Sequence, residues 1–327
     1  MRKKVFALAL SAMLFALCLS AQAQQSKKIA RIGFLSATSA SSQSLRVEAF
    51  RQGLRELGYV EGKNIVIEWR FAEGKADRLR ELVAELVRLE VDVIVTGGPP
   101  PTRAAKQATS TIPIVMAFDD DPVGSGFAAS LARPGGNITG LSTYFPEISG
   151  KQLELLREIV PKLSRAAVLG NASQPGHPQA LREINLAADG FRVQVQYLQV
   201  RGTQDIDSAF RAASKERADG VLVLSTAVLF LERKQVADLA VKNRLPAIYG
   251  RPEYVENGGL VYYGPIYTDL FRRAATYVDK ILKGTKPTDI PIEQPMKFDF
   301  IINLQAAKKI GLTIPPNVLV RADKVIR

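Results

Sequence analysis

Ala30-Arg31-Ile32-Gly33-Phe34-Leu35-Ser36 is an apolar run of strand length, and the segments that follow it decide the fold. Val47, Phe50, Leu54 and Leu57 repeat at helical spacing until Gly58 stops them. An apolar run at 64–71 comes next, then a second helical stripe of Leu79, Leu82, Val83, Leu86 and Val87, then a third apolar run at 91–97. Strands rich in Val and Ile that alternate with helical stripes predict strand-helix units wound into a parallel sheet covered by helices on both faces. Further strands are expected at 112–118 and 137–143. The pattern then restarts, with strands at 165–170, 192–200, 219–225, 246–250 and 259–263. Its helical faces carry Leu153, Leu156, Ile159, Val160 and Leu163 in one case, and Leu270, Ala274, Tyr277, Val278 and Ile281 in another. The expectation is an α/β protein of two doubly wound parallel-sheet halves, each of ordinary domain size.

The last long helix is expected over 267–283, ending at Gly284 with Lys280 and Lys283 in its final turn, where cations suit the helix dipole. A proline-punctuated stretch follows at 286–295, then a strand at 298–302, a short helix at 304–310 and a tail through Pro315-Pro316. This appendix is too small to fold alone and is expected to pack back across both halves.

At the other end, Arg2, Lys3 and Lys4 precede an apolar run from Val5 to Leu19 that closes in Ala21-Gln22-Ala23. A basic start, an apolar middle and a small-x-small site predict a secretory signal peptide cleaved after Ala23. The run is shorter than the ~20 residues that span a bilayer as a helix. Leu17 before Cys18 does not suit lipoprotein processing. Cleavage lowers the formal charge from +12 to +9 and removes Cys18, the one cysteine of the 327 residues. The mature chain can form no disulfide, which suits an exported protein without redox chemistry of its own.

Several function classes lack their residues. His177 is the single histidine of the chain, and Gln174-Pro175-Gly176-His177-Pro178 reads as a turn entering a helix, with a surface or capping role for the imidazole. A Ser-His-acid triad and a transition-metal site both need more. Neither dinucleotide nor Walker glycine motifs occur, so no cofactor is expected. Lys and Arg are interleaved with Glu and Asp, as in Arg78-Leu79-Arg80-Glu81, which predicts a solvated basic surface and no nucleic-acid partner. Asp119-Asp120-Asp121 resembles an acidic metal cluster and leaves open an exported hydrolase. The competing reading makes Asp121 the N-cap of a helix with Pro122 at its first position.

In an open parallel sheet, ligands bind beyond the carboxyl ends of the strands. Those ends bring Ser36, Thr38, Gly97, Gly98, Asp119 and Asp120 from the first half, and Asn171, Ser225, Thr226, Tyr249 and Arg251 from the second. Such a set binds a small polar molecule and catalyses little. Ser36, Thr38 and the helix terminus after Pro122 suit a carboxylate, Asp119 or Asp120 an amino group, and Tyr249 and Tyr263 an aromatic body.

The segments Thr111-Ile112-Pro113-Ile114-Val115-Met116-Ala117-Phe118, Asp121-Pro122-Val123-Gly124-Ser125-Gly126, Leu131-Ala132-Arg133-Pro134-Gly135-Gly136-Asn137 and Ile301-Ile302-Asn303-Leu304-Gln305-Ala306-Ala307 carry a family likeness. With Arg244-Leu245-Pro246-Ala247-Ile248-Tyr249 and Tyr262-Tyr263-Gly264-Pro265, they resemble the tryptophan/tyrosine-type substrate-binding proteins of ABC transporters over essentially the whole mature chain. The resemblance implies a type I periplasmic-binding fold: two lobes joined by three hinge crossings, near 141–144, 263–267 and 284–290. The lobes would comprise 29–142 with 267–284, and 143–265 with 290–303, and 304–327 would form a tail packed on both. It further implies a monomeric, non-enzymatic receptor of the periplasm that closes on a small carboxylate-bearing or amino-acid-like ligand. Its partner would be an ABC permease of the inner membrane, or in a variant reading a signalling protein. Connections containing Gly140, Gly264 and Gly284 are expected to supply the hinge. Pro99-Pro100-Pro101 departs from the pattern: the prolines remove three N–H donors, leaving Thr102 as the hydroxyl of that loop.

Overall fold

The computed structural model describes residues 29–143 and 145–327. The expected signal peptide lies outside the described residues. Within them the strands form two sheets. Ala30–Ser36 (β1), Ile65–Phe71 (β2), Val93–Gly97 (β3), Ile114–Asp119 (β4) and Ile138–Ser142 (β5) make an all-parallel sheet in the order β2-β1-β3-β4-β5. Arg165–Gly170 (β6), Gln194–Gln199 (β7), Gly220–Val223 (β8), Ala247–Tyr249 (β9), Val261–Pro265 (β10), Phe298–Asn303 (β11) and Lys324–Ile326 (β12) make the other, in the order β7-β6-β8-β9-β10-β11-β12. Its first five strands in sequence repeat the order of the first sheet, and only the β10–β11 pair is antiparallel.

Helices cover both faces of each sheet, as the alternation of stripes and strands requires. On the first sheet, Ser44–Glu56 (α1) buries Val47, Phe50 and Leu54, and Arg78–Arg88 (α2) buries Leu79, Leu82, Val83 and Leu86. Leu57 leaves the expected stripe and is largely exposed, because the helix has already ended at Glu56. Pro99–Ala108 (α3) follows β3 directly, so Pro99-Pro100-Pro101 form the first turn of a helix where a loop was expected. Proline is tolerated there because first-turn N–H groups have no intrahelical acceptor. On the second sheet, Phe145–Ile159 (α4), His177–Phe191 (α5), Gln204–Lys215 (α6) and Arg233–Lys242 (α8) pack against cores centred on β6 and β8, and Ala227–Leu231 (α7) follows β8 at its carboxyl end.

After β5 the chain passes to the second sheet, after β10 it returns, and after Glu293 it passes over once more. The helix Tyr267–Leu282 (α10) packs lengthwise on α1, close enough that a Cβ on Gly53 would stand 2.3 Å from the Arg272 carbonyl oxygen. Its Leu270, Phe271, Ala274 and Val278 are buried in the first core. The last passage falls later than expected. Ile290 and Ile292 are buried beside the first sheet, Ile292 N–H donates to Leu131 O at 2.8 Å, and Ser142 N–H donates to Glu293 O at 2.9 Å. The passage is therefore 294–297, and Ile266 N–H donates to Lys297 O at 3.1 Å, tying the two neighbouring passages together. Gly140 and Gly264 lie inside β5 and β10 instead of in connections. At Gly140, φ is 137° and a Cβ would stand 2.2 Å from Met116 O, so the residue serves a close strand approach.

The tail stays with the second sheet. Asn303 caps Leu304–Ile310 (α11) by accepting from Ala306 N–H at 3.1 Å, Ile314 and Val318 enter the second core, and β12 pairs with β11. All of these contacts lie within the second half.

Candidate functional site

Both sheets point the carboxyl ends of their strands at a shared cleft. Ser36 at the end of β1 is in register with Gly97 of β3, which brings the turn at 36–38 beside Gly97-Gly98. Across the cleft stand Ser225 and Thr226 at the end of β8, and Arg251 just after β9. The cavity between them encloses about 140 Å³ and is bordered by Thr38, Gln43, Arg46, Gly97, Gly98, Phe118 and Asp120 from one side and by Gln174, Ser225, Thr226, Phe230 and Arg251 from the other. Pro99 and Pro100 of the α3 terminus also face it.

Seven of the residues expected from the sequence border this cavity: Thr38, Gly97, Gly98, Asp120, Ser225, Thr226 and Arg251. Ser36 and Asp119 sit behind them, fully buried. Ser36 Oγ accepts from Thr38 N–H at 3.2 Å and so shapes the turn, while Thr38 Oγ1 accepts from Gln43 Nε2 at 2.8 Å. Asp119 Oδ1 accepts from Asp121 N–H at 2.9 Å, and its Oδ2 has no partner. Burial, aided by the neighbouring Asp120 charge, pushes the Asp119 carboxyl well above the usual carboxylate range. Thr143, on the first passage between sheets, donates to Asp120 Oδ1 at 2.7 Å.

Three expected residues stand elsewhere. Tyr249 is fully buried in the second core, stacked on Tyr254 at 4.7 Å. Tyr263 packs on Phe298 and Phe300 beside the passage after β10, and Gln152 Nε2 donates to its carbonyl. Asn171 turns back into its own loop, where Oδ1 accepts from Ser173 N–H and from Gln199 Nε2, both at 3.0 Å. His177 is likewise no surface residue. Its Nδ1 accepts from Asn171 N–H at 3.2 Å and Nε2 lies 3.3 Å from Ser225 O, so the ring ties the ends of β6 and β8. Burial holds its pKa below the ordinary histidine value.

The expected first-lobe anion site is also changed. No helix follows Asp121-Pro122: residues 122–126 form a turn in which Asp121 Oδ1 accepts from Gly124 N–H at 2.8 Å. At the α3 terminus the three prolines delete the N–H groups that a helix normally offers an anion. Thr102 Oγ1 is buried and spent on Gly98 O at 2.9 Å and on Thr96 Oγ1 at 2.7 Å. Among the described residues no group of three or more His, Cys, Asp or Glu is placed to hold a metal ion.

Two arginines face the cleft: Arg251, expected at a strand end, and Arg46, which was not expected there. Arg46, on α1, forms an ion pair with Glu253, on the short helix Glu253–Glu256 (α9) of the other half. Its guanidinium also lies 4.5 Å from the Tyr267 ring centroid. Arg251 is packed among rings, 4.7 Å from Phe230, 5.0 Å from Phe118 and 5.4 Å from Tyr267. Cation–π contacts of this kind contribute ~0.5–2 kcal/mol each. Burial works against the Arg251 charge, but Tyr267, Asp120 and Glu253 outweigh it and hold its pKa above the ordinary arginine value. Phe118 and Phe230 thus present ring faces, Arg251 a cation and Asp120 an anion to one small space.

Two doubly wound halves with a polar and aromatic cleft at the facing strand ends define a ligand receptor of the type I periplasmic-binding architecture. The chain belongs to the ABC transporter substrate-binding protein family, whose model matches residues 29–326. It is 26% identical over 287 residues to a tyrosine-binding protein of Clostridioides difficile, covering 88% of this chain and 82% of that relative. A Streptococcus pneumoniae ABC domain solved in complex with L-Trp superposes with a TM-score of 0.82 at 27% identity, covering 91% of this chain and 99% of that one. A conserved domain protein from Vibrio cholerae superposes equally well, at 0.82 and 27%, over 91% of this chain and 100% of that one. Among the described residues no helix is long and apolar enough to cross a membrane.

Proposed function

We propose that this protein is the periplasmic solute-binding component of an ABC transporter, that it captures a small amino-acid-like carboxylate between its two halves, and that it hands the ligand to a membrane permease. The observation that carries the reading is the juxtaposition of Arg251, Asp120 and the Phe118 and Phe230 rings around one cavity. An α-amino acid with an apolar or aromatic side chain is complementary to a cation, an anion and ring faces at that spacing. Relatives that bind tyrosine and L-Trp support the same ligand class. The family is a solute-binding, non-catalytic class. In keeping with that, Asp119 and Asp121 are engaged by backbone N–H groups and Asp120 by Thr143.

The halves as proposed close on a hinge formed by the passage after β5, by 265–266 and by 294–297. The mature form lacks the leader that ends at Ala23 and acts as a monomer. The test is a thermal-shift screen of the 24–327 chain against the amino acids and aromatic acids, followed by calorimetry of each hit. A ligand that binds only the folded state raises the melting temperature, by an amount that grows with ligand concentration over Kd. Silence from every amino acid and carboxylate would refute the ligand class.

A further inference from the structure

Arg251 is a cleft cation whose guanidinium makes no hydrogen bond or ion pair among the described residues. Its Nε is buried without a partner, it forms no ion pair among the described residues, and its contacts are the faces of three rings. A guanidinium carries five N–H donors in a fixed fork. Ring faces hold its plane in place but accept none of those donors in the plane. Leaving the buried Nε unmet is costly, and that cost is removed when a planar anion meets the Nε–Nη edge of the fork. The other cleft cation does not share this state, since Arg46 is already paired with Glu253.

The opposite wall cannot do the same work. Pro99, Pro100 and Pro101 occupy the first turn of α3, so the helix terminus that faces the cavity lacks the N–H groups that would grip an anion. Thr102 is buried and internally bonded. We infer that Arg251 is the specificity-determining residue of the cleft: its guanidinium, clamped between Phe118 and Phe230, receives the ligand carboxylate as a two-point salt bridge, and ligand is therefore anchored on the second half before the first closes over it.

Asp120, across the same cavity, then receives the ammonium of an amino-acid ligand. Its Oδ1 already accepts from Thr143, which orients the carboxylate toward the space. A carboxylate alone suffices for docking on Arg251, so acids without an ammonium remain ligands and amines without a carboxylate do not. This assignment rests on the proposed function, and its test separates the two.

The experiment is calorimetry of the parent, Arg251→Gln, Arg251→Lys and Asp120→Asn with four probes: L-tryptophan, L-tryptophanamide, indole-3-propionate and tryptamine, and the same series built on tyrosine. Melting curves confirm that each variant folds. The parent binds the two acids and discriminates against the amide and the amine by about 30-fold or more, the scale for leaving a buried charge unpaired. Arg251→Gln weakens the acids by a similar factor and erases the discrimination, Arg251→Lys restores part of it, and Asp120→Asn weakens L-tryptophan while sparing indole-3-propionate. Equal binding of acid and amide by the parent, or parent-like acid binding by Arg251→Gln, overturns the anchor and leaves the proposed function standing. Should Arg251→Gln not fold, the acid-over-amide ratio of the parent and of Arg251→Lys decides alone. A parent that binds none of these probes and no other carboxylate overturns both.

Discussion

Arg46 and Glu253 belong to different halves of the molecule, so on the proposed hinge their ion pair forms only when the halves close, and breaking it perturbs that closure directly. The two side chains retain 9% and 14% of their exposure, so water screens the pair incompletely. Unit charges ~4 Å apart at an effective dielectric constant of ~20 attract by ~4 kcal/mol. Opening the cleft returns both groups to water and recovers part of that. What remains is the range for a hydrogen bond to a charged group, ~1.5–3 kcal/mol. A value of ~2 kcal/mol lowers the closing equilibrium ~30-fold, because each 1.4 kcal/mol is a factor of ten. Ligand affinity falls by the same factor when binding is linked to closure. The assay uses Glu253→Ala, Arg46→Ala and the double variant. Affinity is read by calorimetry, and the distance between halves by energy transfer between dyes on cysteines introduced at the exposed Lys63 and Lys215. Residues 24–327 contain no cysteine to interfere. Each single variant shifts the population toward the open distance and weakens ligand ~30-fold at low salt, less at high salt, and the double variant is no worse than the singles. Unchanged affinity and dye distance in Glu253→Ala would refute the closure reading of this pair.

Three other outcomes follow from residues around the site. Tyr249→Phe leaves ligand affinity and folding nearly unchanged because the hydroxyl has no partner, whereas Tyr249→Ala costs ~3–5 kcal/mol of stability in a denaturant titration. Asp119 has a carboxyl pKa raised in the folded state, so the stability held by its protonated form is complete below about pH 4 and is lost as pH rises from there through the raised value; Asp119→Asn flattens this slope, and pH-resolved chemical denaturation reads it. Gly140→Ala forces a methyl into the Met116 backbone, and soluble expression of the folded protein drops sharply, a result that a normal melting curve would contradict.

The two-sheet architecture was legible because most strands of the parallel ladders are apolar runs bounded by turns, and the long covering helices bear stripes at helical spacing. Lys324-Val325-Ile326 escaped notice as β12 because three residues beginning with a charge carry no period. The passage at 294–297 was misplaced for a related reason: Ile290-Pro291-Ile292 lies between prolines and looks like a linker, yet both isoleucines are buried beside β5. In the site, the rule that ligands gather at strand ends found Thr38, Gly97, Gly98, Asp120, Ser225, Thr226 and Arg251. It missed Gln43 and Arg46, whose polar side chains at the start of a helix resemble solvated surface until a second half is placed against them. Phe118 and Phe230 carry no sign of a cleft position in the sequence for the same reason. Tyr249 failed in the opposite direction: β9 is three residues long and buried on both faces, so its last residue belongs to the core while Arg251, two residues on, reaches the cleft.

The most direct test of the whole account is calorimetric titration of the purified 24–327 chain with L-tryptophan and L-tyrosine, paired with small-angle scattering at saturation. The account predicts one-site binding of at least one of them or of a related small carboxylate, with a fall in radius of gyration as the halves close. No heat from any amino acid or carboxylate, and scattering that is identical with and without them, would contradict it.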